Sequence, residues 1–372
     1  MTHRSSSKKF LVAGHIAKDI HIKILDSNKL PKVFHRLFKN STPISEVGEV
    51  LGEKWTLKKV LATLKRHMIA PVFYSYGGRG PNVAYGAALL GAAIELIGFV
   101  GEDFDKHYSG FYDGGYRTHL EKAGVTINEL ILEPDELDAI DEENHNHGVL
   151  VLKGKEIPTI YCVKDLNGID FYFIDDIKGA HTLATRSPIP KQLINDYDGV
   201  FITSGEPSFN SRLIDYAHKK NKEIIFDVGA YNTTSLYLKE VIPKCNVILG
   251  NEYEINLVKQ AFNVSHVTDL FHPSSSIATI VLEDKIACTA EIYERERAEP
   301  IRIATTEVPK RVSSIGCCDG IAAGYLALHA QGHDNVVAVK AGLIECQSVW
   351  QVEGVQEGML NKRQLFQRLK MR

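Results

Sequence analysis

An aspartate near the start of a predicted helix is the first candidate for chemistry in this sequence. Asp319 follows the polar turn Ser313–Gly316 and two cysteines, Cys317 and Cys318, and it precedes apolar residues at helical spacing. The first turn of a helix has unpaired backbone N–H groups and the positive end of the helix dipole, which together favour an anion. A carboxylate beside that anion could act as a general base in phosphoryl transfer to a hydroxyl. The alternative is an ordinary helix start, where acidic residues are common.

The composition is that of an ordinary globular protein. The chain has 372 residues, of which 44% are hydrophobic and 24% charged. A net charge of −3 argues against nucleic acid as an electrostatic partner, and no apolar run is long enough to cross a membrane. The six cysteines form no CxxC pair, so neither a zinc site nor a disulfide framework is indicated. A reducing, cytoplasmic location is expected.

Predicted strands and helices alternate along most of the chain. A strand at Val72–Tyr76, a glycine-rich turn at 77–82, a helix at Val83–Leu90 and a strand at Ala93–Val100 form a βαβ unit, which requires parallel strands. The alternation resumes at Gly199 and continues to the C-terminal helices. The fold expected from this order is a mostly parallel sheet with helices on both faces.

Apolar periodicity and turn residues predict the other elements. The predicted strands are Phe10–Ala13, Ile20–Leu25, a pair at Ile277–Leu282 and Ile286–Thr289, and strands within 199–205, 223–229 and 246–251. The predicted helices are Thr56–Met68, Tyr116–Lys122, Ser211–Lys220, Leu236–Ile242, Glu252–Ala261, a long helix after Gly316, Asn335–Cys346 and Asn361–Arg372.

Three β-rich runs interrupt the α/β alternation. Gly148–Leu152, Thr159–Val163 and Ile169–Ile174 are separated by turns, which predicts an antiparallel meander. The acidic stretch that precedes them contains His145 and His147. We interpret this histidine pair as part of an exposed loop, because His-x-His without further ligands is weak evidence for a metal.

Four motifs occur in a fixed order along the chain. They are Val12-Ala13-Gly14 followed by Asp19, then Gly77-Gly78-Arg79-Gly80-Pro81-Asn82-Val83-Ala84, then Asn251-Glu252-Tyr253-Glu254, and finally Ser313 to Asp319. Together they resemble the opening strand and the GGxxxN, NxxE and DTxGAGD signatures of the ribokinase or PfkB family of sugar and nucleoside kinases. The resemblance spans nearly the whole chain. A GxxxxGK[ST] phosphate loop and a strand followed by GxGxxG are both absent.

The resemblance implies a single kinase domain over residues 1–372. Its expected fold is a ribokinase-like three-layer α/β/α sandwich with a mostly parallel sheet and a small β-sheet lid. The lid would be formed mainly by residues 19–75, with an insertion at 30–70, and by residues 148–176. Its closure over substrate would exclude water that could otherwise hydrolyse ATP. A homodimer formed through the lid is one interpretation.

The resemblance also implies roles for individual residues. Asp319 would be the general base, and the backbone amides of the three residues before it would hold the migrating phosphoryl group. These three residues are Gly316, Cys317 and Cys318. Asp19 and Asn82 would hydrogen-bond the hydroxyls of the substrate, while Gly77 and Gly78 would allow close backbone approach.

ATP and Mg²⁺ are the cofactors that the resemblance implies. Asn251 and Glu254 would order Mg²⁺ through its waters, although the same two residues could simply cap a helix. Glu283 lies in the segment that corresponds to the nucleotide loop of the family. That segment, Val281–Ile286, lacks both family glycines, and its acidic residues would repel phosphates unless Mg²⁺ or Lys285 compensates.

Two further departures concern the last motif. Cys318 stands where the family has a second glycine in the anion site, and Ser313-Ser314 replaces Asp-Thr, which argues against a monovalent-cation site. An adenosine-like nucleoside is the favoured substrate, because the GGxxxNxAY run, Asn251–Glu254 and Gly354–Glu357 resemble bacterial and archaeal adenosine kinase-like proteins. The alternatives are a ribokinase-type sugar kinase, or a kinase-fold binding or scaffold protein with impaired catalysis.

Overall fold

The computed structural model describes residues 7–36, 42–43, 50–52, 54–108, 110–111, 114–167, 170–175, 178–229, 233–305 and 311–370. Parts of the 30–70 insertion, the start of the predicted strand Ile169–Ile174 and the end of the predicted C-terminal helix lie outside these ranges. Among the helices within them, none combines the length and the apolar content needed to span a bilayer.

The strands and helices have the following bounds. The strands are β1 Lys9–Ala13, β2 Ala17–Ile24, β3 Thr42–Pro43, β4 Phe73–Gly77, β5 Ala93–Gly101, β6 Glu129–Leu132, β7 Val149–Leu152, β8 Thr159–Asp165, β9 Asp170–Asp175, β10 Gly199–Ile202, β11 Glu223–Asp227, β12 Val247–Asn251, β13 Thr279–Asp284, β14 Thr289–Glu294 and β15 Ile301–Ala304. The helices are α1 Leu57–Lys65, α2 Arg79–Leu89, α3 Tyr116–Lys122, α4 Lys191–Asp196, α5 Pro207–Lys219, α6 Ser235–Val241, α7 Glu252–Phe262, α8 Cys317–Ala330, α9 Asn335–Val349 and α10 Lys362–Leu369.

A ten-stranded sheet forms the centre of the molecule. Its order is β15-β14-β13-β12-β11-β10-β1-β5-β7-β6. Across the eight strands that run in space from β13 to β6, every neighbouring pair is parallel. At the other edge of the sheet, β14 and β15 are added in antiparallel pairs. The carboxyl ends of the parallel strands therefore meet at one edge of the sheet, where open α/β sheets bind ligands.

Alternate residues of β1 show that the sheet is the middle layer of three. Phe10 and Val12 belong to one apolar core, which includes α8 and α9. Leu11 and Ala13 belong to a second core on the other face. Because successive strand residues point to opposite faces, an apolar run such as FLVA is stable only when both faces are covered. The predicted α/β/α sandwich is confirmed.

A second, smaller sheet lies beside the central one, with the order β3-β9-β8-β2-β4. In β2, Ile22 and Ile24 pack with Val60 and Leu64 of α1 in a third apolar cluster. The intervening residues of β2 point to the opposite face, which carries Asp19 and His21. The alternating sequence DIHIKI thus gives β2 one apolar and one polar side.

The predicted antiparallel meander is wrong in its first strand. β7 pairs in parallel with β5 and β6 in the central sheet, whereas β8 and β9 form an antiparallel pair in the second sheet. The all-apolar sequence of β7, VLVL, suits a strand that is buried on both faces. β6 and β15 were not predicted.

Other predictions also differ from the structure. The predicted βαβ unit is wrong, because β4 lies in the second sheet and β5 in the central sheet. α2 begins at Arg79 directly after Gly78, so the glycine-rich turn is much shorter than residues 77–82. The predicted strand Ile286–Thr289 is wrong, because residues 285–288 form the turn and β14 begins at Thr289. The acidic Asp284 stabilises this turn, since its Oδ1 accepts hydrogen bonds from the backbone N–H groups of Ile286 and Ala287, both at 2.9 Å.

Candidate active site

A cavity of about 410 Å³ is lined both by the second sheet and by residues at the carboxyl edge of the central sheet. Most of the predicted site residues line it together: Asp19, Gly78, Asn82, Asn251, Glu254, Gly316, Cys318 and Asp319. Gly77, Cys317 and Glu283 are not among its lining residues. The four separated motifs are thus brought to one place.

The start of α8 forms one wall of the cavity. Gly316 is the N-cap residue with a φ of 75°, and Asp319 lies in the first turn of the helix. A Cβ atom at Gly316 would lie 2.3 Å from the Val355 side chain, so both the backbone and the packing require glycine here. The N–H group of Cys317 donates a long hydrogen bond of 3.4 Å to the Ser314 carbonyl.

Asp319 is held by two side chains of α2. The Nδ2 of Asn82 donates to Asp319 Oδ2 at 2.7 Å, and the Nε of Arg79 lies 3.3 Å from Asp319 Oδ1. Burial raises the pKa of Asp319 above its usual value, while Arg79 and Asn82 oppose this rise. A raised carboxyl pKa suits a general base that works near neutral pH.

Asn82 is itself fixed by a residue from near the C-terminus. Gln356 Nε2 donates to Asn82 Oδ1 at 2.9 Å and to the Tyr116 hydroxyl at 3.2 Å. The Oε1 of Gln356 lies 2.8 Å from Nε2 of His119. Asn82 was predicted to contact substrate hydroxyls, but here both ends of its amide contact protein groups, which orients Asp319.

Asp19 comes from β2, on the polar face of the second sheet. The side chain is buried, and burial, with help from Asp319 and Glu357, raises the pKa of Asp19 to about 8. Its Oδ1 has no hydrogen-bond partner within the described part of the chain. A Cβ atom at Gly77 would lie 2.0 Å from Asp19 Oδ2, so Gly77 is needed to give this carboxyl group its place.

Arg79 is a central residue of the site that the sequence analysis missed. Its Nη2 lies 2.7 and 2.8 Å from the two carboxyl oxygens of Asp227, and its Nη1 lies 3.3 Å from Glu254 Oε1. With Asp319, one guanidinium therefore faces three carboxylates. Two signals were available: a basic residue directly after Gly77-Gly78, and Asp227 at the carboxyl end of a predicted strand.

The acidic group around Arg79 fits a divalent cation. When Asp227, Glu254 and Asp319 are all ionised, their three negative charges exceed the positive charges of Arg79 and of Lys285, which also acts on Asp319. Burial raises the pKa of Asp227 to about 7, although Arg79 opposes the rise. Carboxylate oxygens are the ligands that Mg²⁺ prefers, and the cation would supply the missing charge.

Asn251 and Glu254 form the helix cap that was considered as an alternative. Asn251 Oδ1 accepts from the Glu254 N–H, and Glu254 Oε2 accepts from the Asn251 N–H, both at 3.0 Å. This capping box occupies one carboxyl oxygen of Glu254 and leaves Oε1 to Arg79. The two residues line the cavity and cap α7 at the same time, so the cap leaves the predicted cation role open.

Glu283 is buried at the end of β13, opposite Asn251 in the sheet. Burial, together with Asp227 and Glu254, raises the pKa of Glu283 to about 8. At neutral pH this side chain is therefore mostly uncharged, which reduces the repulsion of phosphates expected from the sequence. Lys285 follows in the turn and lines the cavity, so this loop brings a positive charge to the cavity.

The second sheet covers the cavity with mostly apolar side chains. Ile160 and Cys162 come from β8, and Tyr172 and Ile174 from β9. The cavity therefore has a polar floor at the helix starts and an apolar wall opposite. Such a site suits a ligand that has hydroxyl groups at one end and an apolar ring at the other.

Comparisons with known proteins agree with this architecture. Two curated relatives are nucleoside kinases: that of Methanothermobacter thermautotrophicus is 24% identical over 265 residues, which cover 70% of this chain and 73% of the relative. That of Methanocaldococcus jannaschii is 24% identical over 298 residues, which cover 79% of this chain and 85% of the relative. No protein-family model matches the chain.

Solved structures share the fold over nearly the whole chain. The M. jannaschii nucleoside kinase, an archaeal member of the ribokinase family, has a TM-score of 0.71 at 19% identity and 98% coverage of both chains. The Burkholderia thailandensis nucleoside kinase in complex with inosine has a TM-score of 0.70 at 16% identity and 97% coverage of both chains. A Cryptococcus neoformans ribokinase in complex with ADP also has a TM-score of 0.70 at 16% identity, covering 98% of this chain and all of the ribokinase.

The fold is therefore that of the ribokinase-family structures, with an α/β/α core and a small second sheet. The resemblance to the ribokinase or PfkB family, phosphotransferases that act on a hydroxyl group, is confirmed by the curated nucleoside kinases and by the ribokinase-family structures.

Proposed function

We propose that this protein is an ATP-dependent nucleoside kinase in which Asp319 is the general base. The observation that carries the proposal is the position of Asp319 in the first turn of α8, held by Asn82 and Arg79 in the same cavity as Asp19. This arrangement combines a base, an anion-binding helix start and an acceptor-side carboxyl group. Phosphoryl transfer requires little more from the protein than such positioning and charge stabilisation.

In this mechanism, an acceptor hydroxyl donates its proton to Asp319 as its oxygen forms a bond to the γ-phosphorus of ATP. The bond from that phosphorus to the bridging oxygen breaks, and ADP leaves with the bonding electron pair. Bound MgATP supplies the phosphoryl group and the cation that neutralises its charge. The backbone N–H groups at the start of α8, from Gly316 to Cys318, hold the transferring oxygens. Asp19 binds other hydroxyls of the acceptor. Arg79 holds the carboxyl groups of Asp227 and Glu254 in place beside the phosphates of the bound nucleotide.

Asn251 and Glu254, with Asp227 nearby, are the residues that would hold Mg²⁺ through its waters. Glu283 and Lys285 lie on the donor side, where Lys285 offsets the negative charge of the phosphates. The lid is part of the proposal: the second sheet closes over the acceptor and excludes water. A cytoplasmic location, where ATP is present, is also part of it.

A nucleoside is preferred to a free sugar because of the apolar wall. Ile160, Tyr172 and Ile174 line the cavity on the side of Asp19, so a ribose bound to Asp19 leaves an apolar surface next to it for a base. The nucleoside kinases among the relatives support the same choice. A ribokinase-type sugar kinase would leave this wall uncovered.

A phosphotransfer assay with MgATP and a panel of purine nucleosides, pyrimidine nucleosides and ribose tests the proposal. We expect at least one nucleoside to be phosphorylated with a higher kcat/KM than ribose. Asp319→Asn should lower kcat by about 10²–10⁴-fold with little loss of nucleoside binding, because it removes the base and keeps the shape. Asp334→Asn is the matched control: Asp334 is an exposed helix cap, and asparagine caps equally well.

The same assay separates the alternatives. Ribose as the best acceptor would identify a sugar kinase. No phosphorylated acceptor, together with nucleoside binding that Asp319→Asn leaves unchanged, would identify a kinase-fold binding protein and reject the enzyme.

A further inference from the structure

The polar face of the second sheet carries a set of donor atoms that phosphoryl transfer does not require. Asp19 and His21 are two residues apart in β2, so their side chains share one face. Cys162 lies directly opposite His21 in the neighbouring strand β8 and shares that face. Register alone therefore brings a carboxyl group, an imidazole and a thiol together.

These three side chains form a compact buried cluster. Each is at most 4% exposed, and the donor atoms, one from each residue, lie within 4.8 Å of one another. Asp19 Oδ1 and His21 Nδ1 are both buried and, among the described residues, have no hydrogen-bond partner. Buried polar atoms without a partner are costly and call for an explanation, of which a bound ion is one.

We infer that Asp19, His21 and Cys162 bind a single Zn²⁺ ion at the acceptor end of the cavity. One oxygen, one nitrogen and one sulfur donor suit zinc better than Mg²⁺ or Ca²⁺, which take oxygen ligands. Zinc–ligand bonds of about 2.0–2.3 Å require the three donors to approach one another slightly, which small side-chain rotations supply. Asp19 and Cys162 line the cavity, so the fourth position is open to water or to a ligand.

Nε2 of His21 has a hydrogen-bond partner of the kind that orients zinc-binding histidines. His21 Nε2 lies 2.8 Å from the Ser75 hydroxyl, which orients the ring and leaves Nδ1 for the metal. Hydrogen bonds of this kind from the second nitrogen are typical of zinc-binding histidines. On binding, Cys162 loses its thiol proton to the buffer and coordinates as thiolate, and Asp19 coordinates as carboxylate. Because the ligands come from two strands, no short sequence spacing reveals the site.

A consequence for catalysis rests on the proposed function. Asp19 is shared between the zinc site and the acceptor site, so an acceptor and Zn²⁺ cannot both use it. Zinc should therefore raise the KM for the nucleoside and leave kcat unchanged at saturating nucleoside. Conversely, the nucleoside should weaken zinc binding to the wild-type protein.

Metal binding is measured first, on the full chain and without nucleotide. We expect one equivalent of Co²⁺ to give a thiolate charge-transfer band, and Zn²⁺ to abolish this band by displacing Co²⁺. Competition for Zn²⁺ between the protein and a chromogenic chelator measures the zinc affinity. Cys162→Ser should abolish the band. Cys162→Ser and His21→Gln should each lower the zinc affinity by more than about 100-fold, because loss of a residue that only hydrogen-bonds a metal ligand already costs about 10–100-fold. Cys318→Ser, a cysteine in the same cavity but outside the cluster, should retain both band and affinity.

The proposal is overturned if Co²⁺ gives no thiolate band, if Cys162→Ser binds zinc as tightly as the wild type, or if only Cys318→Ser loses binding. Cooperative thermal unfolding of each variant serves as the folding control. Competition between nucleoside and zinc is measured on the wild-type protein, so that result does not depend on the folding of any variant. The two proposals can fail separately. One-site zinc binding through Cys162 without phosphorylation of any acceptor rejects only the kinase, whereas phosphorylation without such binding rejects only the zinc site.

Discussion

Arg79 determines the charge of the candidate active site. It lies in the first turn of α2 and contacts carboxyl groups from three other elements: Asp227 at the end of β11, Glu254 in α7 and Asp319 in α8. Arginine suits this position because its planar guanidinium presents five donors in a fixed arrangement. Lysine carries its charge on one compact ammonium group without this planar arrangement, so it would pair less closely with three carboxyl groups spread around the site.

We expect Arg79→Lys to lower kcat/KM for phosphotransfer by about 10–100-fold, since a hydrogen bond between charged groups contributes about 1.5–3 kcal/mol. Weaker pairing with Asp319 should raise its pKa further. The acidic limb of the pH–rate profile should therefore move to higher pH, because a base of higher pKa is protonated over a wider range. Steady-state rates across pH measure both effects.

Arg66→Lys is the matched control for Arg79→Lys. Arg66 is exposed beside α1, where its guanidinium contacts Thr63. An unchanged pH–rate profile in Arg79→Lys, equal to that of the control, would contradict the role assigned to Arg79.

At the scale of elements, the start of α8 requires a backbone that only glycine adopts easily. Gly316 has a φ of 75°, and Gly332, just past the end of the same helix, has a φ of 82°. The two glycines are alike in backbone conformation but differ in location. Only Gly316 lines the cavity and lies against Val355.

This pair provides a prediction for the anion site. Gly316→Ala and Gly332→Ala should each lose about 1 kcal/mol of unfolding free energy from the left-handed backbone, and Gly316→Ala should lose more through its contact with Val355. Only Gly316→Ala should lose most of its phosphotransfer activity, because the amides at the start of α8 must shift. Urea unfolding and kcat measure the two effects. Equal activity losses in the two variants would contradict the assignment.

The sequence predicted most elements of the fold, but not all of their neighbours. α3 has the bounds expected from its sequence, and the central strands follow from their apolar runs. β7 was assigned to the wrong sheet because its turns resembled those of β8 and β9. Its partners β5 and β6 are fixed by tertiary packing, and its apolar sequence VLVL was the signal against an antiparallel meander.

The candidate site was predictable to the extent that its residues belong to motifs. Asp319, Asn82 and Asp19 meet in one cavity as expected. The partners of Arg79 and the contact of Gln356 with Asn82 were not predictable, because they depend on distances between elements far apart in the chain. Side-chain burial, which decides the pKa of Glu283, is likewise a property of the folded molecule.

At the scale of the whole molecule, buried carboxyl groups also occur away from the cavity. Glu345 in α9 is fully buried, and its Oε2 accepts a hydrogen bond from the backbone N–H of Leu360 at 3.0 Å. Burial raises the pKa of Glu345 to about 8 against the opposing effects of this hydrogen bond and Arg368. The folded protein therefore retains a proton that the unfolded chain releases near pH 4.5.

We expect Glu345→Gln to flatten the pH dependence of stability. The stabilising effect of the protonated Glu345 is complete below its unfolded pKa and is lost as pH rises through about 8. Between about pH 6 and 8 this group should lower the unfolding free energy by up to about 1.4 kcal/mol per pH unit. Glutamine keeps an acceptor for Leu360 and does not titrate, so the variant should lack this slope.

Urea unfolding at several pH values measures the slope, with Glu296→Gln, an exposed carboxyl group, as the control. A Glu345→Gln slope identical to that of the wild type would show that Glu345 is ionised in the folded state.

The hydrogen bond between Gln356 and Asn82 has a consequence for how the protein is made. Asn82 lies in α2, in the first quarter of the chain, yet the residue that fixes its amide lies 274 positions further along the chain. During synthesis, the first strands of the sheet can form long before Gln356 emerges. The contacts from Gln356 to Asn82 and from Asn82 to Asp319 cannot all form until then. Contacts of such large sequence separation are expected to form late in folding. A nascent chain would therefore form much of its sheet before its candidate active site, and no molecule that ends before Gln356 would have the complete site.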